Sequence, residues 1–125
     1  MAGLSPDLAP CPRSPNCVSS DAKDKGHRVE PLELTAPPER AWKAARAAVA
    51  ALARTKITAE SDTALHAECK SLLLGFVDEL DLRLRPAEGV IAIRSASRSG
   101  YSDMGVNRKR VEHLRSVLRK RGVAR

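Results

Sequence analysis

FVDELDLRLRPAEGVIAIRSASR, residues Phe76–Arg98, is the stretch whose reading decides the fold. Leu80, Leu82 and Leu84 alternate with Glu79, Asp81 and Arg83, the period of two that a strand shows when only one face is buried. Pro86-Ala87-Glu88-Gly89 supplies a turn, and Val90 to Arg98 resumes the alternation. Its inward set is Ile91 and Ile93, continued by Ser95 and Ser97, while Arg94 and Arg98 point the other way. The segment is therefore an antiparallel hairpin with an apolar and a charged face.

Working backwards, Thr63–Ser71 alternates Leu65, Ala67 and Cys69 against His66, Glu68 and Lys70, and Lys56–Ser61 precedes it as a further strand closed by Ser61-Asp62. Before these lies a helix. Pro37 and Pro38 suit its first turn, Glu39 complements the dipole, and Trp42, Ala45, Val49 and Leu52 form one stripe. Arg28–Leu34 reads as a short strand that Pro31 confines to an edge or a bulge. After the hairpin, a helix from Val106 or Asn107 to Arg121 buries Val111, Leu114 and Leu118 and stops at Gly122; Asp103 or Asn107 can cap it. The order β-α-β-β-β-β-α predicts an α+β fold: a twisted antiparallel sheet with two helices on one face, TATA-binding-protein-like or helix-grip-like. That is an analogy of topology and carries no function.

Residues 1–28 show neither period. With Pro6, Pro10, Pro12 and Pro15 they read as an extended arm, leaving residues 29–125 as a single domain. At 125 residues there is room for one modest core. With 2% aromatics that core rests on Leu, Val, Ile and Ala, and no stacking platform for bases is available. The net charge of +7 is concentrated: residues 105–125 hold eight basic residues against Glu112. Such a helix can attract nucleic acid, anionic lipid or an acidic protein, or can serve as a solvated face. No run is long enough to span a membrane, and MAGLSPDLAPCPRSP lacks a charged-then-apolar signal. The chain as it stands reads as cytoplasmic, or as periplasmic or lumenal if a targeting segment has been removed.

Chemistry-bearing residues gather in Ile93–Arg110, IRSASRSGYSDMGVNRKR, between the last strand and the last helix. Arg94, Arg98 and Arg108, with Ser102 and Asn107, are expected to converge on a Gly/Ser loop at a helix N-terminus and hold a carboxylate or phosphate. The expected partner is an anionic small molecule or a protein. A second reading is a hydrolytic or metal-assisted enzyme using His66, Glu68 and Asp103. Against it, no G-x-S-x-G elbow occurs and turn serines commonly cap backbone groups. A third is nucleic-acid binding through the basic helix. Cys11 and Cys17 lack zinc-knuckle spacing, so neither metal nor cofactor is expected; in an oxidising compartment they can form a disulfide, leaving Cys69 a buried thiol.

Pro10–Ser20 (PCPRSPNCVSS), His66–Leu80 (HAECKSLLLGFVDEL) and Arg94–Arg115 (RSASRSGYSDMGVNRKRVEHLR) together resemble the domain-of-unknown-function family numbered 1499, widespread in bacteria and plastid-bearing organisms. The resemblance runs from Pro10 to about Arg121. It implies no activity or cofactor. It does single out recurrent polar positions, which fall here on Asn16, Ser71 and Asp78 as well as on the cysteines and the site candidates above.

Overall fold

The computed structural model describes residues 4–71 and 75–125. The expected order holds from the edge strand onward. The elements are β1 (Cys17–Ser19), β2 (Leu32–Glu33), α1 (Pro38–Ala50), β3 (Thr55–Glu60), β4 (Ala64–Lys70), β5 (Val77–Arg85), β6 (Val90–Ser97) and α2 (Val106–Lys120), an α+β arrangement of six strands and two helices. Strands β3 to β6 form an antiparallel meander, and β1 and β2 lie one after the other along the free edge of β6. A 3-10 turn at Pro86–Glu88 and Gly89, at a φ of 67° that only glycine adopts freely, join β5 to β6.

Period-two alternation sets the faces as the sequence requires. Leu65, Ala67, Leu80, Leu82, Ile91 and Ile93 are buried beneath both helices with Val49, Val111, Leu114 and Leu118. Burying each such side chain contributes about 1.5–3 kcal/mol. In α1 the deepest residues are Ala41, Ala45, Ala48 and Val49, so small side chains let the helix lie close to the sheet. Trp42 sits at the rim of that stripe, where its indole Nε1–H donates to the Ser61 carbonyl at 3.4 Å. The alanine spacing was present in the sequence but is less conspicuous than a tryptophan.

The arm departs from expectation in one respect: it supplies β1, a strand of the sheet. Three residues, Cys17-Val18-Ser19, are too few to show a period, yet all are buried and pair with Ala96, Ser95 and Arg94. Cys11 and Cys17 are joined in a disulfide with Cα atoms 5.7 Å apart, and Cys69 is a buried free thiol. From Ser5 to Pro10 the arm crosses the charged face of the sheet. Arg83 Nε donates to the Ser5 carbonyl at 2.6 Å, Arg94 Nη2 donates to the Pro10 carbonyl at 3.3 Å, and Leu8 is buried. At the other end of the chain, Val123 and Ala124 tuck in beside β2, where Arg125 and Glu33 exchange backbone hydrogen bonds. Among the described residues no helix is long and apolar enough to cross a membrane.

Candidate functional site

The junction between β6 and α2 is built around Asn107, which is fully buried. Its Oδ1 accepts from Ser95 Oγ at 2.7 Å and from Arg110 Nη1 at 2.8 Å. Its Nδ2 donates to Asp103 Oδ2 at 2.8 Å, Ser97 Oγ at 3.0 Å and the Asn16 carbonyl at 3.3 Å. Asn16 in turn donates from Nδ2 to the Gly100 carbonyl at 2.6 Å and accepts from Ser14 Oγ at 2.8 Å. Arg110 closes the set by pairing with Asp78 at 2.9 Å, two groups that are both largely buried. The junction is thus where the cysteine arm is seated. Ser95, Ser97, Asn107 and Asp78 all sit on the helix-covered face, as alternation from Leu80 and Ile93 dictates.

This arrangement answers the expectation of an anion at the start of α2. That position is filled by the chain's own carboxylate: Asp103 accepts from the Gly105 N–H at 2.8 Å and the Asn107 N–H at 3.2 Å. Burial opposes ionisation of Asp103, but the Asn107 side chain and the two backbone N–H groups outweigh it and hold its carboxyl below the usual range. The five residues proposed to converge there do not do so. Ser102 Oγ accepts from the Met104 N–H in the exposed loop, and Asn107 belongs to the buried set. Arg94 and Arg98 lie on the opposite, charged face. Arg108 reaches back to the arm, donating to the Arg28 carbonyl at 3.0 Å and the Gly26 carbonyl at 3.2 Å.

On the charged face, His66 Nδ1 lies 2.8 Å from Asp81 Oδ1 and its Nε2 lies 3.3 Å from Glu79 Oε1. The hydrogen bond to Asp81 raises the His66 pKa above 6.5; burial opposes it, and the charges of Asp81, Glu79 and Glu68 add to the rise. Arg98 pairs with Glu68 at 2.7 Å and reaches Glu79 at 3.7 Å. Glu68 therefore has a cation of its own. The sheet separates His66 from Asp103, so the three residues of the enzymatic reading do not form one constellation. Among the described residues no group of three or more His, Cys, Asp or Glu side chains is placed to hold a metal ion.

A different place gathers cations. A cleft of about 550 Å³ opens between α2 and the segment leading into β2, lined by Arg28, Arg108, Arg115, Arg119 and Arg125 against Glu30, Glu33 and Glu112. Two of these arginines are structural walls. Arg108 is held by the arm as above; Arg115 is buried and donates to the Glu30 carbonyl at 2.6 Å, the Pro31 carbonyl at 3.0 Å and Glu112 at 3.0 Å. Arg28 is anchored through Nη1, which donates to the Ser20 carbonyl at 2.8 Å and the Ala22 carbonyl at 3.2 Å, while its Nη2 lies 3.7 Å from Glu30. Arg125 is loosely engaged, 3.3 Å from Glu33, and all four side chains are well exposed. Arg119 has no side-chain hydrogen bond or ion pair among the described residues. Reasoning from sequence pointed to Arg108 and, in the nucleic-acid reading of the basic helix, to Arg115 and Arg119, but missed the cleft they form with Arg28 and Arg125. The signal was there: positions 108, 112, 115 and 119 follow one another at four, three and four, a single polar face of α2 beside the buried stripe.

The model of a family described as a protein of unknown function, DUF1499, matches residues 7–118, and the chain belongs to that family. No curated protein and no solved structure matches it.

Proposed function

We propose that this member of the family is a binding module that receives an anionic group, a carboxylate or phosphate of a small molecule, in the arginine-lined cleft between α2 and β2. The observation that carries the reading is the lining itself: five arginines against three glutamates, in a concavity of about 550 Å³, within the range of roughly 300–1,000 Å³ usual for small-ligand sites. Arg108 and Arg115, fixed by backbone carbonyls, keep the walls in place without the ligand. Arg119 offers a guanidinium with nothing to give up. Arg125 can exchange its exposed partner Glu33 for a ligand at small cost, and Arg28, kept in place by Nη1 on the Ser20 and Ala22 carbonyls, can exchange Glu30 at Nη2, because an exposed ion pair contributes only about 0–1 kcal/mol. A planar guanidinium fork recognises carboxylate and phosphate bidentately, which favours these two groups over halide and over neutral ligands.

The test is thermal stabilisation by inorganic phosphate, pyrophosphate and citrate. Wild-type protein should gain stability with increasing anion, and Arg119→Ala, with an unchanged melting temperature in the absence of anion, should lose most of that gain. No stabilisation by any of the three, or equal stabilisation of the variant, would count against the cleft.

A further inference from the structure

Four large apolar side chains stand out from the described surface: Met104 is 85% exposed, Tyr101 73%, Phe76 54% and Val106 45%. They are not scattered. Phe76, Met104 and Val106 line one shallow cleft of about 290 Å³, and Tyr101 lies between Gly100 and Ser102 of the same lining. Phe76 leads into β5, Tyr101 and Met104 belong to the β6–α2 connection and Val106 opens α2, segments that meet at one end of the sheet. Isolated exposed apolar residues need no explanation, but the large exposed ones among the described residues, collected at one end of the sheet, mark a contact surface.

Charge next to this patch is one-sided. Val106 also borders a second concavity lined by Arg54, Lys70 and Lys109, and none of those three cations has an acidic partner among the described residues. The acids nearest to the patch are already engaged: Asp78 with Arg110, Asp103 with the first N–H groups of α2, and Glu68 with Arg98. This end of the molecule therefore presents protruding aromatic and thioether side chains flanked, on the Val106 side, by cations without acidic partners among the described residues.

We propose that this end docks on an anionic membrane surface, with Phe76, Tyr101, Met104 and Val106 entering the headgroup region and Arg54, Lys70 and Lys109 facing anionic lipid headgroups. The chemistry matches an interface: apolar side chains with one aromatic hydroxyl, flanked by lysine and arginine, gain from partial burial and from the negative surface potential together. Protrusion also favours a lipid surface over a helical partner, which needs a groove longer than this shallow cleft. The residues are distinct from the arginine cleft, so either site can exist without the other.

Co-sedimentation of the full chain with vesicles tests this, using phosphatidylcholine alone and phosphatidylcholine mixed with phosphatidylglycerol. Wild-type protein should bind the mixed vesicles and not the zwitterionic ones. The double variant F76S/M104S should bind about tenfold or more weaker, from the lost burial of two large side chains, and K70E/K109E should bind weaker still. All four positions are exposed, so melting temperatures should stay at the wild-type value; Arg119→Ala should bind vesicles as wild type does. Absence of binding to mixed vesicles would overturn the proposal, whatever protein the patch then captured. Binding that F76S/M104S leaves intact would overturn it equally, since charge alone would then account for it.

Discussion

Asn107→Ala removes the side chain on which the arm, β6 and α2 meet, and the structure allows its cost to be worked out. Several partners keep a second bond. The Asn16 carbonyl still accepts from the Ser97 N–H at 2.9 Å, and Asp103 Oδ2 still accepts from the backbone N–H of residue 107 at 3.2 Å. Arg110 keeps Asp78 and Ser95 Oγ. Two hydroxyls lose a partner: Ser95 Oγ–H, fully buried, has no acceptor once Oδ1 is gone, and Ser97 Oγ loses its bond from Nδ2. Leaving the buried Ser95 hydroxyl unpaired costs about 1–3 kcal/mol, and the half-buried Ser97, which water can reach, adds less, so the substitution should cost roughly 1–4 kcal/mol. Against a total stability of roughly 5–15 kcal/mol that is a large loss. Equilibrium urea denaturation followed by the fluorescence of Trp42, the sole tryptophan, reads it as a lower midpoint at unchanged slope. Asn107→Asp keeps the acceptors but sets a second carboxylate 2.8 Å from Asp103 Oδ2, so it should destabilise as well, more at neutral than at acid pH. A loss below about 1 kcal/mol for Asn107→Ala would refute the view that this set of bonds holds the arm and helix together.

The Asp78–Arg110 pair makes a sharper cycle: Arg110→Met strands a buried carboxylate and should cost about 3–5 kcal/mol, while D78L/R110M should recover most of that loss in the same denaturation assay. His66 gives a pH dependence. Its folded pKa is raised, so its contribution is complete below about 6.5 and is lost as pH rises through the folded value; His66→Gln should flatten the fall of melting temperature with pH. His27 is raised in the same sense, by the Ser14 carbonyl first and Asp24 second, so the single variant should leave a residual slope. Opening the disulfide by Cys11→Ser should cost about 2 kcal/mol for so short a loop, and reductant should bring the wild-type melting temperature down to that of the variant.

How far the sequence could be read follows from which periods were long enough to see. The meander was legible because Leu65 to Cys69, Leu80 to Leu84 and Ile91 to Ser97 each repeat every second residue, and that alternation alone put Ser95 and Ser97 under the helices. Strand β1 was illegible because three residues carry no period; its place depends on pairing with β6, a contact about eighty residues away in the chain. The site was harder. Arg94, Arg98 and Arg108 are close in sequence, but a strand face and a helix start send them to different sides of the sheet. The helix N-terminus that was to attract an anion sits within reach of Asp103, four residues before Asn107, and a neighbouring carboxylate is a better-placed occupant than any ligand from solution. The arginine cleft combines Arg28 and Arg125 from near the two ends of the chain with one face of α2, a grouping that only tertiary structure creates.

The most direct measurement of the central claim is a heteronuclear NMR titration of the full chain with pyrophosphate, following backbone amides and arginine Nε–H resonances. The cleft predicts saturable shifts confined to Arg28–Glu33, Arg108–Arg119 and Arg125, with the Arg119 side chain among the largest, and none in Arg119→Ala beyond a weak residual. Shifts centred instead on Arg98–Asp103, or no saturable shift anywhere, would contradict it.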